Sequence, residues 1–234
     1  MSATTSEGAE PSRRARWKQN PEAVQANILR VACEVFATRG LSGARVDEIA
    51  ARTETSKRMI YYYFGDKDGL YLRTLEEAYR RVRTQEDALD LAGLDPVQAL
   101  CRLVAFTFDH HRRNPDFIRL VMIENVHFGR FLEKSETIRA LNRGAIDQLA
   151  HIIARGKADG AFRGDSDALT VHWQISALSF FNVSNRHTFT KIFGDGLHDE
   201  AGQALLRRQA VRAVLGAVLA EPDRHALDRL ATRD

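Results

Sequence analysis

Cysteine is nearly absent from this chain of 234 residues: Cys33 and Cys101 are the only two, far apart and each inside an apolar helical pattern. A disulfide scaffold is therefore excluded, and no CxxC pair or zinc-finger spacing exists. Both thiols read as buried and free in a reducing compartment. Long apolar runs are also missing. No window approaches the ~20 apolar residues of a membrane span, and the opening "MSATTSEGAEPSRRARW" lacks the apolar core of a signal peptide. The expected location is cytoplasmic, without a membrane partner. Strand formers are sparse and no long alternating run appears, so the expected fold class is all-α. Absent as well are a phosphate-binding glycine loop, a nucleophile elbow, an HExxH helix and a dinucleotide-binding glycine pattern. Their absence argues against the familiar enzyme classes.

What is present is an ordinary globular mix, 44% hydrophobic and 28% charged, able to bury a core. The net charge of +3 conceals an asymmetry. Residues 11–83 carry 15 Lys and Arg against 9 Asp and Glu, whereas residues 84–234 carry 19 against 20. A basic front on a near-neutral body points to a polyanion as the partner of the front.

Helix signals divide the chain into about nine helices. Residues 1–19 read as a disordered arm that includes Arg13, Arg14, Arg16 and Lys18. Asn20 and Pro21 open the first helix, in which Val24, Ile28, Val31 and Val35 recur at helical spacing and which Gly40 stops. A short second helix buries Val46, Ile49 and Ala50. After a break at Thr53-Glu54, Thr55 is expected to cap a third helix that ends at Gly65. Asp66 caps a longer fourth helix, and the cap-plus-proline pairs Asp95-Pro96 and Asn114-Pro115 open the fifth and sixth. A seventh begins near Ser135. The eighth and ninth, about 166–187 and 200–220, end the body before a loose tail over 221–234. The expected domains are a helix-turn-helix unit over 20–65 and a helical body over 66–220.

The second and third helices are each about two turns long with a four-residue break, which is the helix-turn-helix format. At ~100° per residue, Ile60, Tyr63 and Phe64 share one face of the third helix. Arg58, Tyr61 and Tyr62 share the opposite face, with Lys57 on its flank. A cation-and-phenol face suits DNA, because lysine and arginine bind phosphate and guanine edges while a tyrosine hydroxyl donates to phosphate.

Residues 28–71, "ILRVACEVFATRGLSGARVDEIAARTETSKRMIYYYFGDKDGLY", resemble the DNA-binding domain of the TetR/AcrR family of transcriptional regulators. The matching pattern is Phe36, Gly40, Val46, Ile49-Ala50, Ser56-Lys57, Tyr61, Tyr63-Phe64 and Lys67. The resemblance implies two-fold dimers whose third helices enter successive major grooves of a pseudo-palindromic operator. It also implies a C-terminal helical body that dimerises and binds a small organic effector. By position, Lys57, Arg58 and Tyr62 face the groove, and Ser56, Tyr61 and Lys67 hold phosphates. The basic arm either reaches the minor groove or only solubilises the chain. Three departures bear on operator contacts. Ala44 replaces a hydroxyl residue, with Arg45 beside it as a substitute phosphate ligand. Glu54 replaces the glycine of the turn, and Thr55 replaces a small apolar residue.

In the body, the eighth helix is too apolar for one wet face, and the ninth mixes Val211, Val214, Leu215, Val218 and Leu219 with alanines. Two such helices at the chain end fit a homodimer bundle. Polar and aromatic groups on buried helices are the effector-pocket candidates: Phe106, His110, Met122, Glu124, His127, Phe128, Trp173, Gln174, Phe180 and Asn182. Trp173 and Gln174 fit packing or interface roles equally well. Glu124 and His127, three apart, are expected on one helix face. With His110 and His111 they suggest a metal cluster, against which stand a core ion pair or simple surface positions. No metal site or cofactor is expected. The C-terminal half is also diffusely similar to pyrimidine-responsive regulators of the same family. Two other functions stand beside the ligand-responsive repressor: a constitutive or architectural DNA-binding protein, and a small helical enzyme using Glu124 and His127 as acid and base.

Overall fold

The computed structural model describes residues 20–221, which form ten α-helices and two short 3₁₀ turns and no extended sheet among the described residues. The arm Arg13–Lys18 and the tail after Glu221 lie outside the described residues. The chain divides into two compact units, Met1–Thr74 and Leu75–Asp234.

The first unit contains α1 (Pro21–Gly43), α2 (Val46–Arg52), α3 (Lys57–Phe64) and the beginning of α4 (Lys67–Asp87). Asn20 caps α1 by accepting the Ala23 amide at 3.0 Å, with Pro21 at the first helical position. At Gly40 the helical path breaks with φ +68, a conformation that only glycine adopts cheaply, and a final turn runs to Gly43. Val24, Ile28, Val31 and Val35 are all buried, as their spacing requires, and so are Val46, Ile49 and Ala50. The core closes around Phe36 and Tyr71, whose rings meet edge to face at 5.0 Å.

The turn between α2 and α3 corrects one expectation. Ser56, not Thr55, caps α3: its Oγ accepts the Met59 amide at 3.2 Å. Thr53 is buried and its hydroxyl donates to the Ile49 carbonyl at 2.8 Å, which ties the turn back onto α2. Glu54 has φ +53, so the turn position at which the resemblance implies a glycine is left-handed and carries a side chain. Replacing Glu54 with glycine is expected to raise the unfolding free energy by about 1 kcal/mol, read as a higher denaturant midpoint at unchanged slope. An unchanged or lower midpoint would contradict the strain.

The second unit continues α4 and adds α5 (Pro96–Arg113), α6 (Pro115–Val126), α7 (Glu136–Ala158), α8 (Ala168–Ser184), α9 (Arg186–Phe193) and α10 (Glu200–Val218). Asp95 caps α5 by accepting the Val97 and Gln98 amides, both at 3.0 Å, and Ser135 caps α7 through the Ile138 amide at 3.1 Å. One core runs through α5, α7, α8 and α10, with Val104, Phe108, Ile152, Ile175, Val214 and Leu215 among its members. Gly156 is where the α7–α8 connection comes closest. A side chain there would meet the Phe162 ring at 2.1 Å, and the Phe162 amide donates to the Gly156 carbonyl at 2.9 Å. Phe162 in turn pairs with Leu219 across a single antiparallel bridge that pins the end of α10.

The expectation of nine helices misses α9. The eighth helix stops at Ser184 and not near residue 187, and a separate two-turn helix follows, ended by Gly194 at φ +85. None of its residues is buried in the single chain. The apolar character of α8 also resolves into two faces: Val171 and Ile175 are buried, while Leu169, Trp173 and Phe181 are exposed.

Candidate functional site

Two places in the molecule gather chemistry, one in each unit. In the first unit it is the outward face of α3. Ile60 and Phe64 are buried and Tyr63 is half-buried, which turns Tyr62 into solvent at 77% exposure and Tyr61 at 37%. The Tyr62 ring leans edge-on against Tyr63 at 5.3 Å, so the exposed phenol is held by a ring anchored on the inner side. Arg58 is exposed, and no acidic partner reaches it among the described residues. The Lys57 ammonium is different. It donates to Asp47 Oδ2 at 2.9 Å and lies 6.0 Å from the Tyr61 ring centre. That carboxylate raises the affinity of the amine for its proton.

The phosphate-binding candidates sit around this face. Ser56 accepts a backbone amide as the cap of α3, which leaves its hydroxyl proton free to donate outward. Lys67 opens α4 and its ammonium donates to the Ser42 carbonyl at 3.3 Å, while Asp66 accepts the Gly69 amide at 2.7 Å. Arg45 precedes α2 and is exposed; Ala44 beside it is buried, so the substituted position contributes packing.

The second unit carries a half-open cavity of about 450 Å³. Phe106, Phe117, Trp173 and Phe180 supply aromatic walls; Arg83, Glu86, His110, His111 and Asn142 supply polar groups. The Arg83 guanidinium donates to Glu86 Oε2 at 2.5 Å and to Asn142 Oδ1 at 2.9 Å. Burial raises the Glu86 pKa, and the neighbouring Arg83 opposes that shift. Both histidines are buried. Burial and the nearby Arg83 and Arg113 cations lower His110 to about 4. Burial, His110 and Arg83 lower His111 to about 3, against a hydrogen bond with the Ser179 backbone that favours its proton. At neutral pH both rings are uncharged. Tyr79, also on the wall, is raised by burial to about 12 and stays a phenol.

Of the pocket residues expected from the sequence, the cavity brings together Phe106, His110, Trp173 and Phe180. Met122 and Asn182 line a separate hollow bordered by Arg112, Arg119 and Arg186, where the Asn182 amide pairs with Gln203 at 2.9 and 3.0 Å. Gln174 is half-buried and lines neither. His127 and Phe128 are exposed, and the Phe128 ring is 98% so. Glu124 is buried and accepts the Phe131 and Leu132 amides at 3.0 and 3.2 Å, locking the loop after α6. It therefore does not share a face with His127, because α6 ends between them and the chain turns outward. Among the described residues no three His, Cys, Asp or Glu side chains come together as a metal site. Arg83, Glu86, His111 and Asn142 were not expected in the cavity. The first two look like ordinary surface charges of a long polar helix, and only their three-residue spacing hints at a shared inward face.

Comparison with known proteins agrees with both units. Residues 28–74 match the family model of bacterial regulatory proteins of the tetR family, and residues 96–214 match that of the tetracyclin repressor-like C-terminal domain. The HTH-type transcriptional repressor NicS of Pseudomonas putida is 38% identical over 186 residues, covering 80% of this chain and 88% of the relative. The HTH-type transcriptional repressor SCO4008 of Streptomyces coelicolor is 34% identical over 113 residues, covering 47% of this chain and 54% of that protein. A TetR family regulator from Marinobacter aquaeolei shares the fold with a TM-score of 0.67 at 18% identity, over 87% of this chain and 100% of the other. Together the helix-turn-helix unit, the helical body and these matches show that the chain belongs to the TetR family of bacterial transcriptional regulators.

Proposed function

We propose that the protein is a cytoplasmic, homodimeric repressor that holds a pseudo-palindromic operator through α3 and releases it when a small organic effector occupies the cavity of each body. The observation that carries this reading is the exposed Arg58, Tyr61 and Tyr62 face on the second helix of the helix-turn-helix unit. Two adjacent solvent-facing tyrosines beside cations have little use without a partner, and a duplex offers both phosphate acceptors and base edges. Lys57 and Arg58 would read the groove with Tyr62; Ser56, Tyr61, Lys67 and Arg45 would fix the register on the backbone. Dimerisation is supported by the exposed Leu178 and Phe181 of α8, which border an apolar hollow with Leu206 of α10. Small residues such as Ala213 there permit close helix approach. Effector binding would favour a dimer whose two α3 helices no longer match half-sites about 34–36 Å apart, at a coupling free energy of about 1–3 kcal/mol.

Footprinting on the DNA flanking its own gene supplies the operator, and anisotropy titrations then test the face. Arg58→Ala is expected to lose about 1–3 kcal/mol of operator affinity and to relax specificity at one base pair. Lys67→Ala is expected to weaken operator and random duplex alike, with a shallower salt dependence. Wild-type affinity in both variants would remove α3 and the start of α4 from the interface.

A further inference from the structure

The end of α5, the first half of α6 and the join of α8 to α9 surround a hollow of about 460 Å³, apart from the cavity that Arg83 lines. Four arginines line it from three helices: Arg112 and Arg113 of α5, Arg119 of α6 and Arg186 of α9. Among the described residues no carboxylate lines it. Two acidic groups lie near by and answer little of this charge. Asp109 is 4.0 Å from Arg113 and is held more closely by Arg207, at 3.1 Å. Asp116 is 3.4 Å from Arg119, an exposed pair within one turn of helix, which is worth little in water. Arg112 and Arg186 have no ion pair or hydrogen bond among the described residues. A concavity lined by one sign of charge focuses its potential and gathers counter-ions. Two helices also begin at the rim, α6 at Pro115 and α9 at Arg186, and neither start has a side-chain cap. The Asn114 side chain donates backward to the His110 carbonyl at 2.8 Å, and that of Asn185 to Ser184 Oγ at 2.9 Å. The positive ends of both helices add to the field of the arginines. Asn182 and Gln203 fix the lining, since both are buried, exchange hydrogen bonds at 2.9 and 3.0 Å, and tie back to the Leu197 carbonyl at 2.9 Å.

We propose that this hollow binds a soluble small molecule that carries one or two phosphate groups. A carboxylate offers two oxygens in one plane, which a single guanidinium fork fills. A phosphate group sets its terminal oxygens on a tetrahedron, so forks from different helices can share it. Arginines on α5, α6 and α9 suit the second geometry. The volume leaves room beside the phosphate for a sugar or a ring, against Ile118, Met122 and Val183. The site is separate from the effector cavity, and neither reading depends on the other.

Methyl NMR of the full-length protein labelled at methionine locates the anion. The chain has three methionines, among them Met122 in the hollow and Met59 on the operator-facing helix α3. Pyrophosphate is titrated at about 0.15 M KCl, where diffuse attraction between surface charges is screened. It is expected to shift the Met122 methyl saturably. A shift of Met59 without Met122 would place the anion on the face of α3, and that result, or no shift at either, overturns the proposal. Calorimetry tests the class: pyrophosphate is expected to bind about tenfold or more tighter than citrate at matched ionic strength. Equal affinities would reduce the preference to bare charge and overturn it. Substituting both unpaired cations, Arg112→Gln with Arg186→Gln, is expected to weaken pyrophosphate binding about tenfold or more. Arg143→Gln, on the exposed side of α7 outside the hollow, is expected to leave it unchanged. Equal losses in the two proteins would mean diffuse attraction and no site. If the double variant does not melt cooperatively, the Met122 shift decides. Sedimentation with phosphatidylglycerol vesicles that needs the same two arginines, without pyrophosphate binding, would make the occupant a lipid headgroup and sink the soluble ligand.

Discussion

Glu124→Ala unfolds the protein at markedly lower denaturant, with a loss of about 2–5 kcal/mol, because it strands the buried Phe131 amide and the half-buried Leu132 amide at once. Glu124 Oε2 accepts from both Phe131 and Leu132, and the carboxylate itself is 1% exposed. The truncation also leaves a cavity where the side chain lay, which adds to the cost. Glu124→Gln keeps one carbonyl-type oxygen for the two amides and is expected to lose less than half as much. Equilibrium urea unfolding of the three proteins measures the order wild type, Gln, Ala. If the alanine variant matched wild type, the loop after α6 would not depend on this residue.

The second large effect is acid sensitivity. His110 and His111 ionise near 6.5 in an unfolded chain, and at about 4 and about 3 when folded. Between those values the unfolded state binds more protons, so stability falls as pH falls. The loss begins below pH 6.5 and continues until each folded ring is itself protonated. Each pH unit costs about 1.4 kcal/mol per group, so the pair accounts for about 4 kcal/mol by pH 5. Burial is the largest cause of both shifts, and neighbouring charges add to it: Arg83 and Arg113 for His110, and His110, Arg83 and His172 for His111. Glu86 works in the opposite sense, since its raised pKa makes the folded state the better proton binder over part of this range. Calorimetric melting of wild type and His110→Gln from pH 7.5 to 5 should show a steep decline in the first and about half that slope in the second. A wild-type unfolding free energy that is flat from pH 7 to 5 would contradict buried neutral imidazoles.

Of the residues behind these two effects, His110 lies in the cavity as its sequence suggests, whereas Glu124 does not, and the reason is physical. Faces of α1, α2 and α3 were legible because a helix with one wet side leaves its period in the chain: Val24, Ile28, Val31 and Val35 form a stripe, and Ile60, Tyr63 and Phe64 another. Caps such as Asn20, Asp66 and Asp95 were legible because the bond is local. The cavity was not, since it is built by α4, α5, α6, α7 and α8 together and no periodicity records which helices converge. Nothing in the sequence of the long polar helix α4 beyond their spacing marks Arg83 and Glu86 as inward-facing, where they pair with each other and with Asn142. Glu124 looked like a ligand because a carboxylate on a buried helix invites that reading, whereas its partners are backbone amides, which have no signature in composition. The helix α9 escaped notice because Thr188 and Thr190 break its apolar pattern, and its apolar Ile192 and Phe193 face outward in one chain.

The pairing of Lys57 with Asp47 has a further consequence for how salt acts on the operator complex. A lysine that reaches DNA from open solvent displaces a condensed cation from the phosphates, and that release appears as salt dependence. Lys57 already has a tethered anion at 2.9 Å. If the pair is kept on docking, the two charges nearly cancel and this lysine displaces almost nothing. If it breaks, Asp47 must recruit a cation of its own, and the release is repaid locally. In either case, on the operator face proposed above, Lys57 would orient the complex without adding to its ionic-strength penalty. The counterions expelled on binding are then fewer than the cations that line the interface.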